Sequence, residues 1–164
     1  MNWFKRKLRK VLNCGVIEAH SKLTAIHYRN GQEIGRRVTK DKVVTTAFVN
    51  YLVDNLQVET AAWGDFKYHD SGTGVVAEAI GDTALGTPTG EARSVGTQVD
   101  GDFTYEYRSV ATDTYAGTFA ITEHGLFNAA TAGTLMDRTV FGAINVVSGD
   151  SIQFTFDILF SSGG

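Results

Sequence analysis

Residues 114–160 read TYAGTFAITEHGLFNAATAGTLMDRTVFGAINVVSGDSIQFTFDILF, and this stretch decides the fold. At its end Ile152, Phe154, Phe156, Ile158 and Phe160 alternate with Ser151, Gln153, Thr155 and Asp157. Period two over ten residues marks a strand with one buried face. Two earlier runs, roughly 118–127 and 138–147, are rich in Thr, Val, Ile and Phe. Gly133 and the Ser148-Gly149-Asp150 cluster supply turns between them. The expectation is an antiparallel meander of three strands on which the upstream chain packs.

Composition agrees with a β protein. The 164 residues suit one domain with a core of useful size. Eighteen glycines and one proline fit tight turns better than a disordered linker. The single cysteine, Cys14, excludes an internal disulfide framework. No apolar run approaches membrane-spanning length, and the basic N-terminal region has no apolar segment of the signal-peptide type behind it. We therefore expect a chain made in a cytoplasm, left unprocessed and without a membrane partner. The net charge of −3 hides a polarity: residues 1–42 carry +8 and residues 43–164 carry −11. A basic front and an acidic body suggest an attachment region and a solvated body, or two halves that attract each other.

Residues 2–12 (NWFKRKLRKVL) place Trp3, Phe4, Leu8, Val11 and Leu12 on one helical face and Lys5, Arg6, Arg9 and Lys10 largely on the other. We read 1–14 as a basic helical arm. Its apolar face needs cover from its own body, a neighbouring subunit, nucleic acid or a membrane surface, with protein the expected choice. Residues 16–29 read as a strand pair or one long bent strand. Asn30-Gly31 is a hairpin turn, and 32–39 is the return strand carrying Arg36-Arg37. A second helix is expected over about 42–56, capped by Asp41 and held by Phe48, Tyr51 and Leu52. Phe66–His69 reads as a short strand and Asp70-Ser71-Gly72-Thr73-Gly74 as a turn. Residues 75–102 form a long Gly-rich excursion, suited to an arm lying across a neighbouring subunit. Phe103, Tyr105 and Tyr107 then share one strand face. With six to eight strands and two helices, we expect a mainly β domain over 15–164, an antiparallel sandwich or jelly-roll-like barrel.

Chemistry is sparse. His20, His27, His69 and His124 show no metal-ligand spacing, and His20 and His27 fall on opposite strand faces. Asp65, Asp70, Asp82, Asp100 and Asp102 lie in loops but do not follow calcium-loop spacing. Residues 72–77 (GTGVVA) match a loose dinucleotide pattern without the βαβ context, so they read as a turn. Glu123-His124-Gly125 reads as a strand-end pair rather than a catalytic base. Cys14 reads as a buried filler. No acid, base and nucleophile converge, so no enzyme, cofactor or metal is expected.

The blocks AITEHGLF at 120–127, GTLMDRTVF at 133–141 and INVVSGDSI at 144–152 resemble the closing segment of tailed-bacteriophage virion proteins. FKYHDSGTG at 66–74 and VVTTA at 43–47 extend the resemblance over most of the chain. It implies a virion structural component and brings no catalytic residues. We expect a capsid decoration (cement) protein on the capsid surface, partnered by the major capsid protein and self-associated as a trimer. A tail, fibre or head–tail attachment component, with receptor binding near Trp63, Phe66 and Tyr68, is the alternative. Nucleic acid is not the expected partner. Trp3, Phe4, Leu8 and Trp63 are the expected anchors, and Arg36 and Arg37 the expected cations for an acidic shell surface.

Overall fold

The computed structural model describes residues 16–57 and 65–163. The alternation at the C-terminus becomes β10 (Ser151–Gly163), the central strand of one sheet. Ile152, Phe154, Phe156 and Ile158 on its inner face are all fully buried. Each such side chain contributes on the order of 2 kcal/mol by leaving water. β10 does not continue a meander. Its flanking partners are β1 (Val16–Arg29) and β7 (Glu106–Thr114), both antiparallel. β8 (Phe119–Phe127) and β9 (Leu135–Val146) pair with each other in the opposite sheet. The turn at 147–150 thus crosses between sheets instead of closing a hairpin.

One sheet runs β2-β1-β10-β7-β6, with β2 at Gln32–Lys40 and β6 at Thr97–Asp100. The other runs β3-β9-β8-β4-β5, with β3 at Val43–Val44, β4 at Tyr68–Gly72 and β5 at Ser94–Val95. Residues of both sheets share one core, which includes Leu23, Phe154 and Phe156 on one side and Ile121, Leu126 and Ile144 on the other. The protein is mainly β, in a sandwich-like arrangement of two antiparallel sheets with one described helix. The expected N-terminal helical arm, with Trp3, Phe4, Leu8 and Cys14, lies outside the described residues, as does Trp63.

The helix, α1, spans Thr46–Leu56 and starts later than the periodicity suggests. Its cap is Thr45, whose hydroxyl accepts from the Phe48 amide at 3.2 Å and donates to the Leu135 carbonyl. Asp41 sits at φ 52° in the chain reversal before β3 and is not the cap. The β-branched pair Val43-Val44 goes to the strand conformation it prefers and pairs with Arg138 and Asp137. Phe48 and Tyr51 hold the helix down by edge-on contacts with Phe66, both at 5.1 Å between ring centroids.

The β1–β2 hairpin turns at Asn30 (φ 51°) and Gly31 (φ 76°), the paired positive φ values of a type I′ turn. Nothing crowds Gly31, so Gly31→Ala tests backbone conformation alone. We expect a loss of roughly 1 kcal/mol, the order of an L side chain in the left-handed region, read as a lower urea midpoint. An unchanged midpoint would show that the hairpin tip does not constrain the fold.

Register also assembles charges. Lys22, Asp157 and Arg108 face one another across β1, β10 and β7. Lys22 Nζ lies 3.0 Å from Asp157, and Arg108 Nε donates to the other carboxylate oxygen. Asp157 is 3% exposed on a face the alternation marks as polar. The two flanking cations compensate its charge there.

Candidate interaction surface

Glu123 lies in the middle of β8, not at a strand end, and is fully buried. Its carboxylate accepts from the backbone amides of Gly74 (2.9 Å), Gly86 (2.9 Å) and Thr87 (2.7 Å) and pairs with Arg138 Nη2 at 2.7 Å. Burial pushes this carboxyl up, but the amide bonds from Thr87 and Gly86 and the Arg138 guanidinium outweigh it and hold it below its usual range. Arg138 also reaches Asp82 at 2.9 Å. The start of the Gly-rich excursion is therefore folded back over its own sheet, where Leu85 packs on Phe127 and Leu135. The expected turn at 70–74 is displaced: Asp70, Ser71 and Gly72 belong to β4. A Cβ at Gly72 or Gly74 would overlap Glu123. The glycines of the dinucleotide-like pattern thus admit a protein carboxylate at close range, and the Gly74 amide is spent on it.

His124 points the other way, into the core, with its ring 4.6 Å from that of Phe154. Its Nε2 lies 2.9 Å from Nδ1 of His69, whose Nε2 lies 2.8 Å from Ser109 Oγ. All three residues are fully buried. Burial pushes His69 down to about 3 and, with repulsion from His69, holds His124 well below its usual value. This serine–histidine–histidine chain is a neutral core network closed to solvent.

The hairpin strand β2 is the opposite case. It ends the sheet, and no described strand pairs with its outer edge. Seven of its nine residues are exposed, among them Ile34 at 50% and Val38 at 51%. Register places Arg36 and Val38 opposite Ile26 and Thr24 on the outer face, and Arg37 opposite Ala25 on the core side. Arg36 forms a fork with Glu33 at 3.1 Å through both Nε and Nη2. That exposed pair is screened by solvent and adds little stability. Arg36 and Arg37 both border a groove that is also lined by Ile34, Gly35, Asn145 and the buried His27. The hairpin is rooted firmly: Asp150 accepts from Arg29 at 2.7 and 2.8 Å and lies 2.9 Å from His27 Nε2. The Arg29 bonds hold the Asp150 carboxyl far below its usual range.

Further exposed apolar side chains lie in β1 and in the turn before β7. Ile17 is 75% exposed. Phe103 and Tyr105 stack on each other, with centroids 5.3 Å apart, in the turn before β7. Only Tyr107 of the expected aromatic triplet is in β7, and its hydroxyl donates to the Phe66 carbonyl.

Of the residues read from sequence as anchors, Arg36 and Arg37 are on β2, and Trp3, Phe4, Leu8 and Trp63 lie outside the described residues. Ile34 and Val38 were missed. Their signal was the apolar residue on either side of the Arg36-Arg37 pair in a strand whose partners lie on one side only. Among the described residues no group of three or more His, Cys, Asp or Glu is placed to hold a metal ion. None of the described helices is long and apolar enough to cross a membrane. No family model, no curated protein and no solved structure matches the chain.

Proposed function

We propose that this chain is a non-enzymatic virion structural protein that binds a capsid shell across subunit junctions, as a decoration protein does. The observation that carries the binding role is β2: a nine-residue edge strand, rooted by the Asp150 cluster, with no described strand on its outer edge and with Ile34 and Val38 half exposed beside Arg36 and Arg37. A long edge with free backbone groups and apolar side chains invites strand pairing unless it is covered. A shell protein that lays a segment along it would gain main-chain hydrogen bonds and bury those side chains. The resemblance to phage virion proteins at 120–127, 133–141 and 144–152 supplies the particle. The expected partners are the major capsid protein and further copies of this chain, in a trimer, with no cofactor.

Ile34→Asp and Val38→Asp place charges on exposed positions and should leave stability within about 0.5 kcal/mol. Both should abolish co-sedimentation with particles lacking the native protein. Cryo-electron microscopy of the native particle should place this chain over the lattice at subunit junctions. Full binding by both variants would overturn the role of β2. Density at the tail vertex alone would replace the shell by a tail or fibre.

A further inference from the structure

A cleft of about 350 Å³ opens between β4, β7 and the loop leading into β5. That is near the lower end of ligand pockets, roughly 300–1,000 Å³. Three carboxylates line it: Asp70 from β4, Glu91 from the loop and Asp113 from β7. Hydroxyls of Ser71 and Ser94 complete much of the wall, but they are engaged. Ser71 Oγ is 3.0 Å from the Tyr115 hydroxyl, and Ser94 Oγ donates to the Thr112 carbonyl at 3.3 Å.

The nearby cation is also spent. Arg93 donates to Asp70 at 3.1 Å and to the carbonyls of Ala129 and Ala132 at 2.8 and 2.7 Å, and its guanidinium lies 3.4 Å from the centre of the Phe127 ring. Asp70 is thereby compensated. Glu91 uses one oxygen to accept from the Ala116 amide at 2.8 Å. Asp113 is 7% exposed, and its Oδ1 has no hydrogen-bond partner. A buried carboxylate oxygen left unpaired costs on the order of 1–3 kcal/mol or more. Burial pushes the Asp113 carboxyl up to about 6 against the lowering effect of the Ser94 and Ser71 hydroxyls, and Asp70 and Glu91 add repulsion.

Among the described residues the cleft therefore offers acceptors and no free cation. The complementary ligand carries only donors and a positive charge. Lysine ammonium and arginine guanidinium are the protein groups of that description. We propose that this cleft receives a lysine or arginine side chain of a partner protein, with Asp113 and Glu91 as its acceptors. The inference does not need that partner to be a shell protein.

The test follows the Asp113 carboxyl carbon by NMR in the full chain during titration with N-acetyl-lysine methylamide and, separately, N-acetyl-arginine methylamide. At least one should give a saturable shift. At saturation it should lower the apparent pKa of Asp113 by about one unit, a tenfold preference for the ionised carboxyl. N-acetyl-norleucine methylamide, which lacks the charge, should do neither. Asp113→Asn should fold, since the neutral isostere removes the buried charge, and should lose binding of both probes. The β2 variants should bind the probes like the native chain, which separates this site from the shell-binding reading. Absence of a saturable shift, an equal shift with the norleucine control, undiminished binding by Asp113→Asn, or a response to calcium alone would each overturn the proposal.

Discussion

Glu123→Ala should cost about 3–5 kcal/mol, the usual range for breaking a buried ion pair by removing one partner. The variant strips the acceptor from three backbone amides, those of Gly74, Gly86 and Thr87. It also leaves Arg138, only 3% exposed, with Asp82 as its remaining carboxylate. Unpaired buried donors carry their full desolvation penalty. Because the three amides belong to one loop, the loss should be local as well as global. Amide hydrogen exchange at 74, 86 and 87 should lose its protection, while β10 keeps most of its own. Glu123→Gln should fall between the two, since it keeps the shape and one acceptor oxygen. The pH dependence has a defined sign. The folded carboxyl lies below its usual value, so its contribution is complete above the usual glutamate range and is lost as pH falls through the depressed value. Native urea midpoints together with protected loop amides in Glu123→Ala would show that the loop is held by Leu85 and its neighbours instead.

That clamp illustrates what a sequence of this kind discloses. The inner face of β10 was legible because period two over ten residues has one structural reading. The Asn30-Gly31 turn was legible because two adjacent positive φ values demand those residues. The sheet to which β10 belongs was not legible. Alternation identifies a buried face but not the neighbour across the hydrogen bonds, and a four-residue turn serves a hairpin and a sheet crossing equally well. The extent of β4 was hidden for another reason. Ser71 and Gly72 look like turn residues, yet the small residue is needed there because Glu123 approaches from the adjacent strand. A glycine required by a contact 51 residues away in sequence is indistinguishable, in one sequence, from a glycine required by its own dihedral angle. The helix start failed through the competition between β-branched propensity at Val43-Val44 and apolar periodicity. β3 took the pair, and the cap moved to Thr45. Of the candidate site, Arg36 and Arg37 were legible as strand residues. Their separation onto opposite faces follows from the same period-two rule that exposed β10.

Asp137→Asn should reverse in sign between acid and neutral pH. Asp137 is fully buried in β9. One carboxylate oxygen accepts from the Thr139 hydroxyl at 2.6 Å, and the other has no hydrogen-bond partner. Burial pushes this carboxyl up to about 7, so the folded chain keeps a proton that the unfolded chain loses near pH 4. Between those values the unfolded state binds fewer protons, and stability falls as pH rises, by about 1.4 kcal/mol per unit from this group. The buried histidines act in the opposite direction. His69 stays neutral down to about 3, so its contribution is complete above the usual histidine value near 6.5 and drains away on acidification. The native curve sums these opposing slopes, with Asp113 adding to the aspartate side. Asparagine removes the Asp137 slope and leaves the others. Below pH 4 the variant should be the less stable protein, by about 1 kcal/mol for its unpaired amide. By pH 7 it should be the more stable, after a relative change of about 4 kcal/mol across the window. Urea unfolding of both chains at a series of pH values measures the difference, and the histidine terms cancel in it. Parallel curves would mean that Asp137 is ionised in the folded protein near its ordinary value, held by a cation such as Lys42 rather than kept neutral by burial.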